Sequence, residues 1–137
     1  MSLLGFLSAV TETINLGVGV INPFTRSPSL IAMGAATLDR LSGGRFVLGL
    51  GRGDNHLING TLGIDYENSL AKLNHSLMAV RDMLASNTYA IRDDLNSINL
   101  AVRPVQTPLP LYMAAIGPKA MKLAAKEADG VILNTYS

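Results

Sequence analysis

Gly49, Gly51 and Gly53 stand on alternate positions just before Asp54, with Arg52 between the last two. Backbone without side chains would let a flat ring approach closely there. A tight strand-to-loop turn would use the same glycines. The spacing is GxGxG rather than GxGxxG, and no helix begins at once, which disfavours a dinucleotide fingerprint. Asp54 could hydrogen-bond a ligand or cap its own loop. Gly117-Pro118-Lys119 reads as a helix start, where free backbone donors and the helix dipole favour an anion. Lys119 could add charge, or simply be solvated. Asn134, Thr135 and Ser137 could meet the same phosphate, or be polar residues at a chain end.

Other polar residues read differently. His56 and His75 form no metal-ligand pattern with nearby carboxylates, and there are no cysteines, so no metal is expected. Asp39, Arg40 and Arg45 fall where a helix ends and a strand begins, the rim opposite a site at strand carboxyl ends. They read as structural ion pairs. Lys72 and Arg81 belong to an exposed helix face, with His75 beside them.

The elements that must hold these groups follow from apolar patterning. Leu3, Phe6, Leu7 and Val10 have helical spacing, and an amphipathic helix leads into a strand from Ile14 to Val20. Asn22-Pro23 breaks that strand. Ser27-Pro28 starts a helix, with Ser as cap and Pro in the first turn; Leu30, Ile31, Gly34, Ala35, Leu38 and Leu41 form its apolar face. Ser42-Gly43-Gly44 ends it. Phe46 to Leu50 is a strand buried on both faces. Arg52 to Asp65 is a loop, and Glu67 to Ala85 a helix with Leu70, Leu73, Leu77, Val80 and Leu84 inward. Tyr89 to Leu100 reads as a hairpin or extended excursion. A strand from Leu111 to Ala115 precedes a helix through Ala128, with Met121, Ala124, Ala125 and Ala128 inward. Gly130 to Leu133 is a further strand. Strands that end in Gly, Asn or Asp before helices indicate a parallel α/β fold, with ligands at the strand carboxyl ends.

At 137 residues the chain makes one domain, and 48% apolar residues suit a globular core. A net charge of +1 without a basic stripe argues against nucleic acid. No apolar run suffices to span a bilayer, and the N-terminus lacks a basic signal region, so a cytoplasmic protein is expected.

The runs GVGVINPFTRSP, ATLDRLSGGRFVLGLGRGD and PLYMAAIGPKAMKLAAKEADGVILN together resemble the luciferase-like monooxygenase superfamily, above all its F420-dependent, methylenetetrahydromethanopterin reductase-like branch. They keep the family's order and spacing over nearly the whole chain. The resemblance implies a partial TIM-type (β/α)8 barrel, with about four parallel strands corresponding to strands three to six of the family. It implies F420 as cofactor, with FMN the alternative. Gly19, Val20 and Asn22 would flank the ring, and Gly51, Arg52, Gly53 and Asp54 would approach it from the next strand. Ala114, Ala115, Ile116 and Gly117 would line the ring and its side chain, with Asn134 and Thr135 near the phosphate. A non-prolyl cis peptide would fall at Gly19-Val20.

The family's acidic residue or histidine near the reactive ring carbon, on its first two strands, has no counterpart in this sequence. Ser27 stands where many relatives have His. No catalytic residue is assigned. The implied function is an F420- or flavin-dependent oxidoreductase fragment that transfers hydride to or from a small organic substrate. The alternatives are a non-catalytic remnant that only binds cofactor or a partner chain, and a small flavodoxin-like binding protein. Four strands cut from a closed barrel would leave the strands of Val18, Val20, Val47, Leu48, Tyr112 and Val131 uncovered. A homo-oligomer or a complementary fragment is therefore expected.

Overall fold

The computed structural model describes residues 1–86, 88–89 and 98–134. Helix α1 (Ser2–Val10) leads to β1 (Leu16–Ile21), α2 (Pro28–Leu41) and β2 (Phe46–Leu50). A π-helical turn (His56–Thr61) and α3 (Ser69–Ser86) follow. Strands β3 (Thr88–Tyr89) and β4 (Ile98–Asn99) precede β5 (Leu111–Ala114), α4 (Pro118–Glu127) and β6 (Gly130–Ile132). The main sheet is parallel, in the order β1-β2-β5-β6. Strands β3 and β4 pair antiparallel, as a hairpin requires; the rest of that excursion, 90–97, lies outside the described residues.

Side-chain alternation sorts the sheet into two faces. Leu48 pairs with Val18 and Leu111, and Leu50 with Ile21 and Met113. This row faces the helices; Leu48, Leu50, Leu111 and Met113 are wholly buried there. The opposite row is Gly17 with Val47, Gly49 with Tyr112, and Ala114 with Ile132. Tyr112 is 36% exposed on it. Val47, Tyr112 and Val20 therefore belong to the open face. Val18, Leu48 and Val131 do not, because each shares register with the helix-facing row.

Ser27 caps α2 by accepting from Leu30 N at 3.3 Å, with Pro28 in the first turn. Gly43 and Gly44 follow the helix at φ 66° and 83°. Its buried face is Ile31, Ala32, Ala35, Ala36 and Leu38, whereas Leu30 and Leu41 turn outward. On α1, Leu4 and Leu7 meet the core and Leu3, Phe6 and Val10 are exposed. On α4, Ala120 and Ala124 are buried and Met121 and Ala125 are exposed. In each helix small or aliphatic residues bracket the sequence-based stripe, and packing selects the face about one position away. The stripe of α3 holds: Leu73, Leu77, Val80 and Leu84 are buried.

Asp39 and Arg45 are structural, but not as an ion pair. Asp39 is fully buried. It accepts from Val105 N at 2.6 Å, Gln106 N at 2.9 Å and Gln106 Nε2 at 2.6 Å. Arg45 donates to the carbonyls of Ser8, Thr11, Ile14 and Ser42. Backbone groups at an irregular rim need partners, and these two side chains supply them. Arg81 is not merely solvated either. It pairs with Asp129 at 3.2 Å and tethers α3 to the start of β6. Among the described residues no helix is long and apolar enough to cross a membrane.

Candidate functional site

A cleft of ≈ 310 Å³ opens at the carboxyl ends of the sheet. Its lining includes Gly19 and Val20 from β1, Gly51, Arg52 and Gly53 from the segment after β2, and Ala114 at the end of β5. Asn134 closes one side beyond β6. Ile116, Ile132 and Leu133 make its apolar wall. The floor is nearly free of side chains, one wall is apolar, and Arg52 and Asn134 bring polar groups. That combination suits a flat heteroaromatic ring with a polar edge.

The alternate glycines are needed first by the chain itself. A Cβ on Gly49 would collide with Val18 O and come within 2.6 Å of Ile132 Cδ1. On Gly51 it would stand 2.6 Å from Val20 Cγ2 and 3.1 Å from Ala114 Cβ. Gly53 adopts φ 73°, a turn conformation that side chains disfavour. Close strand packing and a turn thus account for all three, and the bare floor of the cleft follows. The peptide Gly19-Val20 is cis, and the β1–β2 register shifts between Val18 and Ile21.

Four of the expected site residues, Asn22, Asp54, Ala115 and Gly117, are not in this lining. Asn22 Oδ1 accepts from Phe24 N at 3.1 Å and Thr25 N at 3.0 Å, so it shapes the turn after β1. Asp54 Oδ2 accepts from Leu57 N at 3.0 Å, and so is held by the start of the π-helical turn. The side chain of Ala115 is 2% exposed and packs toward the helices. Gly117 lines a neighbouring cleft with Arg52, Leu70, Pro118, Lys119 and Ala120. Thr135 lies outside the described residues. Ile132 and Leu133 enter the site unanticipated; the pairing of Ala114 with Ile132 puts that strand's side chain on the open face.

Gly117 begins α4 without a side-chain cap, unlike Ser27 on α2. The first-turn amides of α4 therefore have no side-chain acceptor of their own, and the dipole there favours an anion. A Cβ on Gly117 would meet nothing within 4 Å. Arg52 joins the two clefts, since it lines both. Its Nη1 lies 3.4 Å from Ser69 Oγ, at the start of α3. Among the described residues no three His, Cys, Asp or Glu side chains gather as metal ligands.

Comparison with known proteins agrees with this geometry. The whole chain, residues 1–137, matches the family described as luciferase-like monooxygenase. The 5,10-methylenetetrahydromethanopterin reductase of Methanolobus tindarius is 36% identical over 134 residues, 97% of this chain and 41% of that protein. The reductase of the same name from Archaeoglobus fulgidus is 35% identical over 136 residues, 97% of this chain and 40% of that protein. The solved coenzyme F420-dependent tetrahydromethanopterin reductase of Methanopyrus kandleri superposes with a TM-score of 0.84 at 27% identity. That match covers 97% of this chain and 43% of the solved one. The chain thus spans about two fifths of the length of these relatives, and its four parallel strands with their helices form part of a TIM-type barrel. With three family motifs in order and the strand-end cleft formed between them, the chain belongs to the luciferase-like monooxygenase family.

Proposed function

We propose that this chain forms the cofactor-facing part of an F420-dependent oxidoreductase, in which hydride passes between a deazaflavin and a small organic substrate. The observation that carries this reading is the cleft that gathers Gly19, Val20, Gly51, Arg52, Gly53, Ala114 and Asn134 at the strand ends. The F420-dependent reductase of Methanopyrus kandleri, which shares the fold, supports F420 over FMN. Two-electron hydride chemistry comes from the deazaflavin when it is bound. The chain's own part is position and electrostatics. Bare backbone at Gly51 and Gly53 admits the ring, Ile116, Ile132 and Leu133 exclude water from one side, and Arg52 supplies a cation at the rim.

A specific observation also favours a binding-only reading of the chain by itself. Among the described residues, the lining of the cleft contains no carboxylate and no imidazole. Nothing there moves a proton to or from the substrate, so turnover requires groups that other strands would bring. Strands β1 and β6 are the outer strands of the sheet. Its open face carries Val47 and Tyr112. Unpaired edges and an apolar face recruit further strands, from a complementary segment or another copy.

The test is a titration of the purified protein with F420 and, separately, with FMN, following ligand fluorescence. Saturable binding with F420 preferred supports the proposal. Binding of FMN alone, or of neither, overturns it. Mass in solution, measured alongside, reports whether binding needs more than one chain.

A further inference from the structure

The chain leaves β2 at the strand-end cleft and makes an excursion, residues 54–64, before it reaches α3. Its hydrogen bonds are self-contained. Ile58 N donates to Asp54 O, Leu62 N to Leu57 O, Gly63 N to Asn59 O and Ile64 N to Ile58 O. Leu57 N donates to Asp54 Oδ2, and Thr61 Oγ1 to His56 O. Among the described residues, no hydrogen bond leaves the segment. Ile58 is its buried side chain, and it stands apart from the main core. It seats near Gly53, where a Cβ would lie 3.4 Å from Ile58 Cγ1.

The neck of this loop is closed just outside it, where the Tyr66 phenol donates to Gly53 O at 2.9 Å. Positive φ marks both ends, 73° at Gly53 and 65° at Gly63. A compact loop with a closed neck is an Ω-loop, packed by its own side chains. One buried anchor and a private set of hydrogen bonds let it open and close as a unit.

Exposed apolar side chains indicate what it closes on. Leu57 and Leu62 are each 48% exposed. The Leu62 N–Leu57 O bond sets them one π-turn apart, on one side of the loop. Ile116 after β5 and Leu133 after β6 line the cleft, and each is 59% exposed. Strand β5 is the neighbour of β2, so loop and lip border one opening. Aliphatic groups on two rims of a cleft are stabilised by covering each other.

We propose that 54–64 is a lid, which swings on Gly53 and Gly63 and packs Leu57 and Leu62 onto Ile116 and Leu133 over a bound ligand. The Tyr66–Gly53 bond holds the neck while the π-helical turn moves. Closure shuts water out of the cleft and commits the ligand. The inference rests on the proposed reading of the strand-end cleft as the ligand site.

The chain has no cysteine, so one pair can be introduced at a time. In Leu62→Cys/Leu133→Cys, mild oxidation is expected to form a disulfide within one chain, which requires Cα atoms within about 7 Å. Leu62→Cys/Leu3→Cys, whose second site is exposed on α1, is expected to stay reduced. Denaturing mass separates bridges within a chain from bridges between chains. No 62–133 bridge, a bridge between chains alone, or equal bridging of the control overturns the lid. Amides of 55–64 are expected to exchange together, ahead of those in α3; protection equal to that of α3 also overturns it. The bridged form is expected to take up and release F420 roughly tenfold more slowly than its reduced form. Equal rates overturn the proposal. A 62–133 bridge in a protein that does not bind F420 upholds the closing movement and overturns the cofactor reading.

Discussion

The phenol of Tyr66 donates to the carbonyl oxygen of Gly53 at 2.9 Å, and so ties the segment before α3 to the turn that floors the cleft. The Tyr66 ring also stacks on Phe24, with centroids 5.0 Å apart. Lys72 Nζ lies 4.4 Å from the centroid of the Phe24 ring. The loops after β1 and β2 are thereby clamped together at the rim. Tyr66→Phe keeps the stack and removes the hydrogen bond, worth about 1 kcal/mol. F420 affinity should fall roughly fivefold. Fluorescence titration checks the affinity, and a urea midpoint alongside checks that the fold is retained. An unchanged affinity would mean that the Gly53 turn keeps its shape without the phenol.

Gly117 is a second point of leverage. Its surroundings leave room for a side chain, so Gly117→Val should fold normally. A branched side chain there obstructs the approach to the α4 amides and should weaken phosphate-bearing cofactors more than a ring without phosphate. Comparative titration of F420 and tail-less deazaflavin reads this directly. Equal affinities before and after the change would move the anion site elsewhere.

Asp39 should matter for stability and not for binding. Asp39→Ala leaves the part-buried amides of Val105 and Gln106 and one N–H of the Gln106 side chain without their carboxylate acceptor. A destabilisation of about 3 kcal/mol or more is expected from lost hydrogen bonds to a carboxylate. Denaturant unfolding measures it. A cofactor affinity that falls while stability stays constant would contradict the purely structural role.

The Lys126–Glu127 pair sets a pH expectation. The Lys126 pKa is raised above its ordinary 10.5 by Glu127. The interaction is therefore fully present below that value and is lost as pH climbs through the raised one. On the alkaline side, the difference in thermal midpoint between wild type and Lys126→Gln should stay constant up to the ordinary lysine range, then vanish. Lys126 is fully exposed, so the difference itself is small and screened by salt.

Periodicity and turn chemistry made the elements legible. Phe46 to Leu50 is a strand with the expected bounds, and Ser27-Pro28 caps the expected helix. The first strand begins two residues late, at Leu16, because Ile14 is 54% exposed. The π-helical turn at His56–Thr61 carries no apolar repeat, and Asp54, which accepts from Leu57 N within it, could equally have been a ligand-binding group. Long-range partners were the least visible. Nothing in the order of residues ties Asp39 on α2 to Gln106 before β5, which only the packing of that segment against α2 brings together, or Tyr66 to Gly53, which meet across the connection between β2 and α3. The lining of the strand-end cleft was legible where register fixes it, at Gly19, Gly51, Arg52, Gly53 and Ala114. Ala115 does not join that lining, because alternation turns its side chain to the core.

The most direct test of the account is a backbone NMR map of the protein titrated with F420. The account predicts shifts at Gly19, Val20, Gly51, Arg52, Gly53, Ala114, Ile116 and Asn134, with the helix-facing residues Leu48, Leu111 and Met113 undisturbed. Saturable binding whose shifts bypass the strand-end cleft, or no binding at all, would contradict it.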